Sequence, residues 1–133
     1  MLKRFMFQFA LFAAVILVTG SCKKDNNDNP QPVNARQVKF EITGNFTGKF
    51  TVIYSDNING NTVLNNVTIP WSKEITYPAS VSAVGIGGQA STNGLPGQTA
   101  TLKIYSGGSV VQSSLKTAGS LGELVFQTLG YTF

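Results

Sequence analysis

Apolar side chains recur on every second position along much of this chain, and that spacing restricts it to β structure. Val38, Phe40 and Ile42 alternate with Lys39, Glu41 and Thr43. Successive side chains of a strand point to opposite faces, so such a stretch has one face to bury and one to leave in water. Gly44-Asn45 ends it, and Phe50, Val52 and Tyr54 alternate with Lys49 and Thr51 in a second strand. Asn59-Gly60 suits the positive φ angles of a tight turn into a third, over 63–69, which Pro70 limits to an edge or an end. A fourth, 71–77, sets Trp71, Ile75 and Tyr77 on one face. Small and β-branched residues make a fifth over 81–86, and the glycine-rich 87–98 segment reads as a flexible loop. Ala100, Leu102 and Ile104 face inward in a sixth, Gly107-Gly108 turns into a seventh over 110–115, and 124–129 forms the last, before Tyr131 and Phe133. Beyond residue 22 no stretch shows a 3.6-residue period. Seven or eight short strands spaced about 8–12 residues apart predict an all-β fold, a single antiparallel β-sandwich over 37–133.

The segment before the sandwich sets where the protein is held. Lys3 and Arg4 precede an apolar run, 5–18, broken only by Gln8, and Thr19-Gly20-Ser21 lead to Cys22. A basic start, an apolar core of about 14 residues and a small-residue exit define a secretory signal, too short for a membrane span. Cys22 is the sole cysteine and stands where signal peptidase II leaves an acylated residue. One acyl chain binds a bilayer only marginally, and a tri-acylated cysteine supplies several. The expected plan is a signal peptide over 1–21, a lipidated Cys22 with a flexible tether over 22–36, and the sandwich over 37–133. The tether (KKDNNDNPQPVNAR after Cys22) has almost no apolar surface to offset its ordering entropy. Its Lys-Lys-Asp opening resembles that of lipoproteins of the Bacteroidota type. The expected location is the cell envelope, at the outer membrane, on its periplasmic or surface side.

Charge excludes one class of partner. The formal net charge of +4 suggests nucleic acid, but from Val38 onward five lysines face four acids, scattered along the strands. No basic stripe for phosphates results. The absence of histidine, with one cysteine placed at position 22, removes His/Cys zinc sites and Ser-His-Asp or Cys-His nucleophiles. The sequence therefore predicts no metal, no cofactor and no enzymatic activity.

The remaining chemical candidates have plainer readings. Asp56-Asn57-Ile58-Asn59-Gly60 resembles a calcium loop, but Ile58 takes a ligand position and no closing glutamate follows, so a hairpin turn is expected. Glu41 and Glu74 form an acid–base pair only if they leave the polar side of their strands, where a solvated face is expected. Tyr54, Trp71, Tyr77 and Tyr105 are weak candidates for an aromatic platform that stacks on sugar rings, with core packing the expected role. The 85–97 stretch opens no helix and is not a phosphate cradle.

Two stretches together resemble a known family. Val38-Lys39-Phe40-Glu41-Ile42-Thr43-Gly44 and Ile69-Pro70-Trp71-Ser72-Lys73-Glu74-Ile75-Thr76 are similar to the V-x-Y-E-V-T-G and L-P-W-S-K-x-V elements of the mycobacterial small membrane protein (MmpS) family, and Ala100 to Val111 mirrors its late hairpin. The resemblance covers most of 38–128. It implies an immunoglobulin-like sandwich outside the inner membrane, acting as an accessory to large lipid and siderophore exporters, with no known active site. The chain departs from the pattern in carrying Cys22 where the family has a membrane helix. Leu102 and the 124–129 segment, with Phe126, stand where the family often has cysteines. The functional expectation is a lipid-anchored, non-enzymatic accessory or interaction module of the envelope, with an envelope protein or transporter as partner. The alternative is a surface module that binds carbohydrate or another ligand.

Overall fold

The computed structural model describes residues 36–133. The expected signal peptide, Cys22 and the tether up to residue 35 lie outside the described residues. Eight strands follow one another: β1 Gln37–Gly44, β2 Lys49–Asp56, β3 Gly60–Val67, β4 Trp71–Thr76, β5 Ala83–Thr92, β6 Thr99–Ser106, β7 Ser109–Thr117 and β8 Val125–Thr132. They form two four-stranded antiparallel sheets, in the orders β4-β1-β6-β7 and β3-β2-β5-β8. This is the immunoglobulin-like sandwich that the alternation and the resemblance led one to expect.

The inward half of each alternation makes the core. Val38, Phe40 and Ile42 of β1, Phe50, Val52 and Tyr54 of β2, and Ala100, Leu102 and Ile104 of β6 are buried between the sheets, with Ile86 from β5 and Phe126 from β8. Each such large side chain contributes about 1.5–3 kcal/mol by leaving water. The Phe50 ring lies 4.8 Å from Phe46 and 5.8 Å from Phe126, so aromatic contacts tie β2 to β8 and to the β1–β2 loop.

The longest departure from expectation is β5, since residues 87–92 are strand and not loop. β5 is an inner strand, with Ile53 of β2 opposite Gly87 on one side and Phe126 of β8 opposite Gly88 on the other. Hydrogen bonding on both sides overrides the weak strand preference of glycine. The register shift in the β5–β8 pairing also brings backbone close. A Cβ on Gly88 would stand 3.1 Å from the Thr51 carbonyl oxygen, and one on Gly87 would stand 3.0 Å from Thr128 Oγ1. The loop proper shortens to 93–98. It is pinned there, because Gln98 Oε1 accepts from Thr47 N at 3.0 Å and from Leu95 N at 2.8 Å.

Smaller corrections concern turns and ends. Of Asn59-Gly60 only Gly60 takes positive φ, and among the described residues the one non-glycine to do so is Asn66 near the end of β3, where the β2–β3 register shifts. Gly107 and Gly108 both take positive φ, as the β6–β7 turn requires. β3 begins at Gly60, β7 runs to Thr117 and β8 to Thr132, each longer or earlier than the apolar pattern marks. The outermost strands of the first sheet are defended. Lys73 pairs with Phe40 and Lys116 with Ala100, which puts a lysine on the inward side of each edge, a device that discourages further strand pairing.

Candidate functional site

The four aromatic candidates do not converge on one exposed surface. Tyr54 is 4% exposed and Tyr77 is 2% exposed. The Tyr54 ring lies 5.8 Å from Phe40 and 5.9 Å from Trp71, which packs against the core while remaining partly open to water. The Tyr77 hydroxyl donates to the Ser55 carbonyl oxygen at 2.5 Å, and burial raises its pKa well above the ordinary phenol value. Tyr105 is separated from these three. Its neighbours Leu102 and Ile104 face inward, so alternation turns Tyr105 to the outer face of the β4-β1-β6-β7 sheet. A ligand platform of exposed rings, the arrangement a sugar-binding surface needs, is not assembled from these residues.

On that outer face the charged groups satisfy one another. Lys39 Nζ stands 2.9 Å from Glu41 Oε1 and 4.1 Å from the centre of the Tyr105 ring. The Tyr105 hydroxyl donates to Glu41 Oε2 at 2.7 Å. Both carboxylate oxygens are thus engaged. The bonds from Tyr105 and then Lys39 hold the Glu41 pKa below its ordinary value, and the same bonds raise those of Tyr105 and Lys39. Glu74 lies on the same face, opposite Lys39, and accepts from Gln37 Nε2. A general acid needs a raised carboxyl pKa, and Glu41 shows the reverse. The pair is a solvated polar face.

The Asp56 turn is also closed on itself. Asp56 Oδ1 accepts from Ile58 N at 2.7 Å and Oδ2 from Thr62 Oγ1 at 3.0 Å, which lowers its pKa, and Ile58 is 84% exposed. Among the described residues no group of three or more His, Cys, Asp or Glu side chains is placed to hold a metal ion.

The feature that sequence reasoning missed lies on the opposite outer face, on β3-β2-β5-β8. Gly85, Gly87 and Gln89 occupy the outward positions of β5 between the side chains of β2 (Thr51, Ile53, Ser55) and those of β8 (Val125, Thr128). Two missing side chains in the middle of a sheet leave a trough of about 420 Å³ along β5, floored by backbone. Ser55 Oγ accepts from Gly85 N at 2.9 Å and fixes one end of the floor. The wall is apolar at Ile53 and Val125, which are 47% and 57% exposed, and uncharged throughout. The signal was present in the alternation of Val84 and Ile86 with Gly85 and Gly87, but glycine-rich composition pointed to a loop. Glycine inside a strand often marks a place where another molecule or backbone comes close.

A comparison with known families agrees with the sequence resemblance. The family model described as Mycobacterium membrane protein matches residues 11–103, which run from within the apolar N-terminal segment into β6. No curated protein matches the chain. Among the described residues no helix is long and apolar enough to cross a membrane.

Proposed function

This chain belongs to the Mycobacterium membrane protein family, and from that membership we propose that it is a non-enzymatic module of the cell envelope, held at a membrane and acting through contact with other proteins. The observation that carries this reading is the continuity of the match. It begins at residue 11, inside the apolar run, and continues into β6, so one family match spans both the N-terminal segment and the first strands of the sandwich. The side-chain inventory supports contact over catalysis. The carboxylate best placed for chemistry, Glu41, is ionised and spent on Lys39 and Tyr105. The partner that fits is an envelope protein or transporter, reached by the sandwich from its membrane attachment.

The attachment proposed is a lipid on Cys22, after removal of 1–21, at the outer membrane. Its support is chemical: the sole cysteine follows three small residues at the end of an apolar run of signal-peptide length. The test is metabolic labelling with a clickable fatty acid in wild type and in Cys22→Ser. The expected result is a labelled, processed wild type and an unlabelled precursor of the variant. Normal processing and membrane retention of Cys22→Ser would overturn the anchor. Retention with no label on either form would favour an uncleaved N-terminal anchor in place of the lipid.

A further inference from the structure

The outer face of β3-β2-β5-β8 has a shape that a second copy, related by a two-fold rotation, fills. Read across the sheet, one row runs Val63, Ile53, Gly87 and then Thr128: Val63 pairs with Ile53, Ile53 pairs with Gly87, and Thr128 borders Gly87. The row therefore has a ridge at Ile53 and a gap at Gly87 on the adjacent strand. A two-fold axis parallel to the strands, lying between β2 and β5, reverses the row. It sets the Ile53 ridge of each copy over the other's Gly87 trough, and Val63 over Thr128. From these observations we infer that the trough docks a second copy of this chain, in an isologous face-to-face dimer.

Three properties of the surface support this occupant. First, charge presents no obstacle to self-pairing. Among the described residues, alternation puts only Lys49 on this face, at the end of β2, whereas the opposite outer face carries Lys39, Glu41, Glu74 and Lys103. Like charges brought face to face are destabilising, and here none meet at the centre. Second, Val63, Ile53 and Val125 are 53%, 47% and 57% exposed on a face with no apolar partner among the described residues. Third, the area is adequate. Four strands about 4.8 Å apart and eight residues long at about 3.4 Å each give roughly 500 Å² per copy. The pair then buries roughly 1,000 Å², the lower bound for a specific interface. Anchoring both copies to one membrane raises their effective concentration and compensates for the modest area. In this the inference rests on the membrane-held module proposed above.

The experiment is cross-linking of the full chain in its native membrane with a short bis-maleimide. Val63→Cys and Thr128→Cys are introduced together. Within one chain they lie three strand spacings apart, about 14 Å, too far for a short linker to join. The expected result is a cross-linked dimer from the double variant, none from either single variant, and loss of the dimer when Ile53→Lys is added. Because Ile53 is half exposed, circular dichroism should show the Ile53→Lys chain still folded. A double variant that stays monomeric, or a dimer that survives Ile53→Lys, would overturn the inference. So would protection of both cysteines from labelling without a dimer band, which would indicate another protein or a small uncharged ligand in the trough. Failure of the lipid anchor is read separately, since an unacylated Cys22 would label and cross-link in the otherwise wild-type chain.

Discussion

The outer face of the β4-β1-β6-β7 sheet carries Lys39, Glu41, Glu74 and Lys103, whereas among the described strand residues the one charged side chain that alternation puts on the outer face of the β3-β2-β5-β8 sheet is Lys49, at its rim. Both arise from the same alternation, and both rest on the same core. On the first, side chains satisfy one another: Tyr105 and Lys39 close around Glu41, and the result is a surface finished within the chain. On the second, Gly85 and Gly87 remove the side chains of an inner strand, and exposed valine and isoleucine flank the gap. The difference teaches that one half of a sandwich can be built for water while the other keeps surface unspent for a partner.

The largest effect is expected in the interior that both faces share. Trp71 pairs with Ile42 and packs against Tyr54, so Trp71→Ala should open a cavity beneath the first sheet. A fully buried ring would cost about 3–5 kcal/mol, and the part of Trp71 left in water reduces this to about 2–3 kcal/mol. A denaturant melt followed by circular dichroism measures it. A change below about 0.5 kcal/mol, the size of an ordinary surface substitution, would show that Trp71 is not part of the core.

On the polar face the effect should be smaller and should depend on pH. The Glu41 pKa is lowered in the folded state, so the stability it contributes is present above the unfolded carboxylate value and is lost as pH falls through the lowered folded value. Glu41→Gln should cost about 0.5–1 kcal/mol at neutral pH, since water still screens the pair. The gap between variant and wild type should close in acid. Tyr105→Phe removes the strongest of the bonds that lower this pKa, and carbon-detected titration of Glu41 should show it rising toward the ordinary range. A gap that widens on acidification would contradict the face as described.

The neutral face should respond least in stability. Ile53→Lys exchanges a half-exposed side chain on an outward position, and its melt should shift by about 0.5 kcal/mol or less. The comparison sharpens if Glu41→Gln changes stability without touching assembly while Ile53→Lys does the reverse. A large loss of stability in Ile53→Lys would mean that this face is finished within the chain as well.

Much of this was legible in the sequence because the inward half of a strand must be apolar to be buried. Val38-Phe40-Ile42, Phe50-Val52-Tyr54 and Ala100-Leu102-Ile104 each named their strand and its buried face. Tyr105, expected to pack in the core with Tyr54, Trp71 and Tyr77, instead points outward, because its neighbours Leu102 and Ile104 take the inward positions of β6. Where residues were read by composition the result was different. Gly87 and Gly88 looked like loop residues because isolated glycine disfavours strands, and only the strands on either side of β5 give its backbone the partners that hold it extended.

The sequence by itself determined the β class, the strand periods, the inventory without histidine and the position of the lone cysteine, because periodicity and composition are local properties. It also determined the family, through short motifs that survive in the chain. Tertiary structure alone decided which strands are neighbours, and with that the order β3-β2-β5-β8. That order sets Ile53 beside Gly87 and makes a trough from residues 34 positions apart in the chain. Pairing across such separations depends on how whole faces pack, and no single stretch records it.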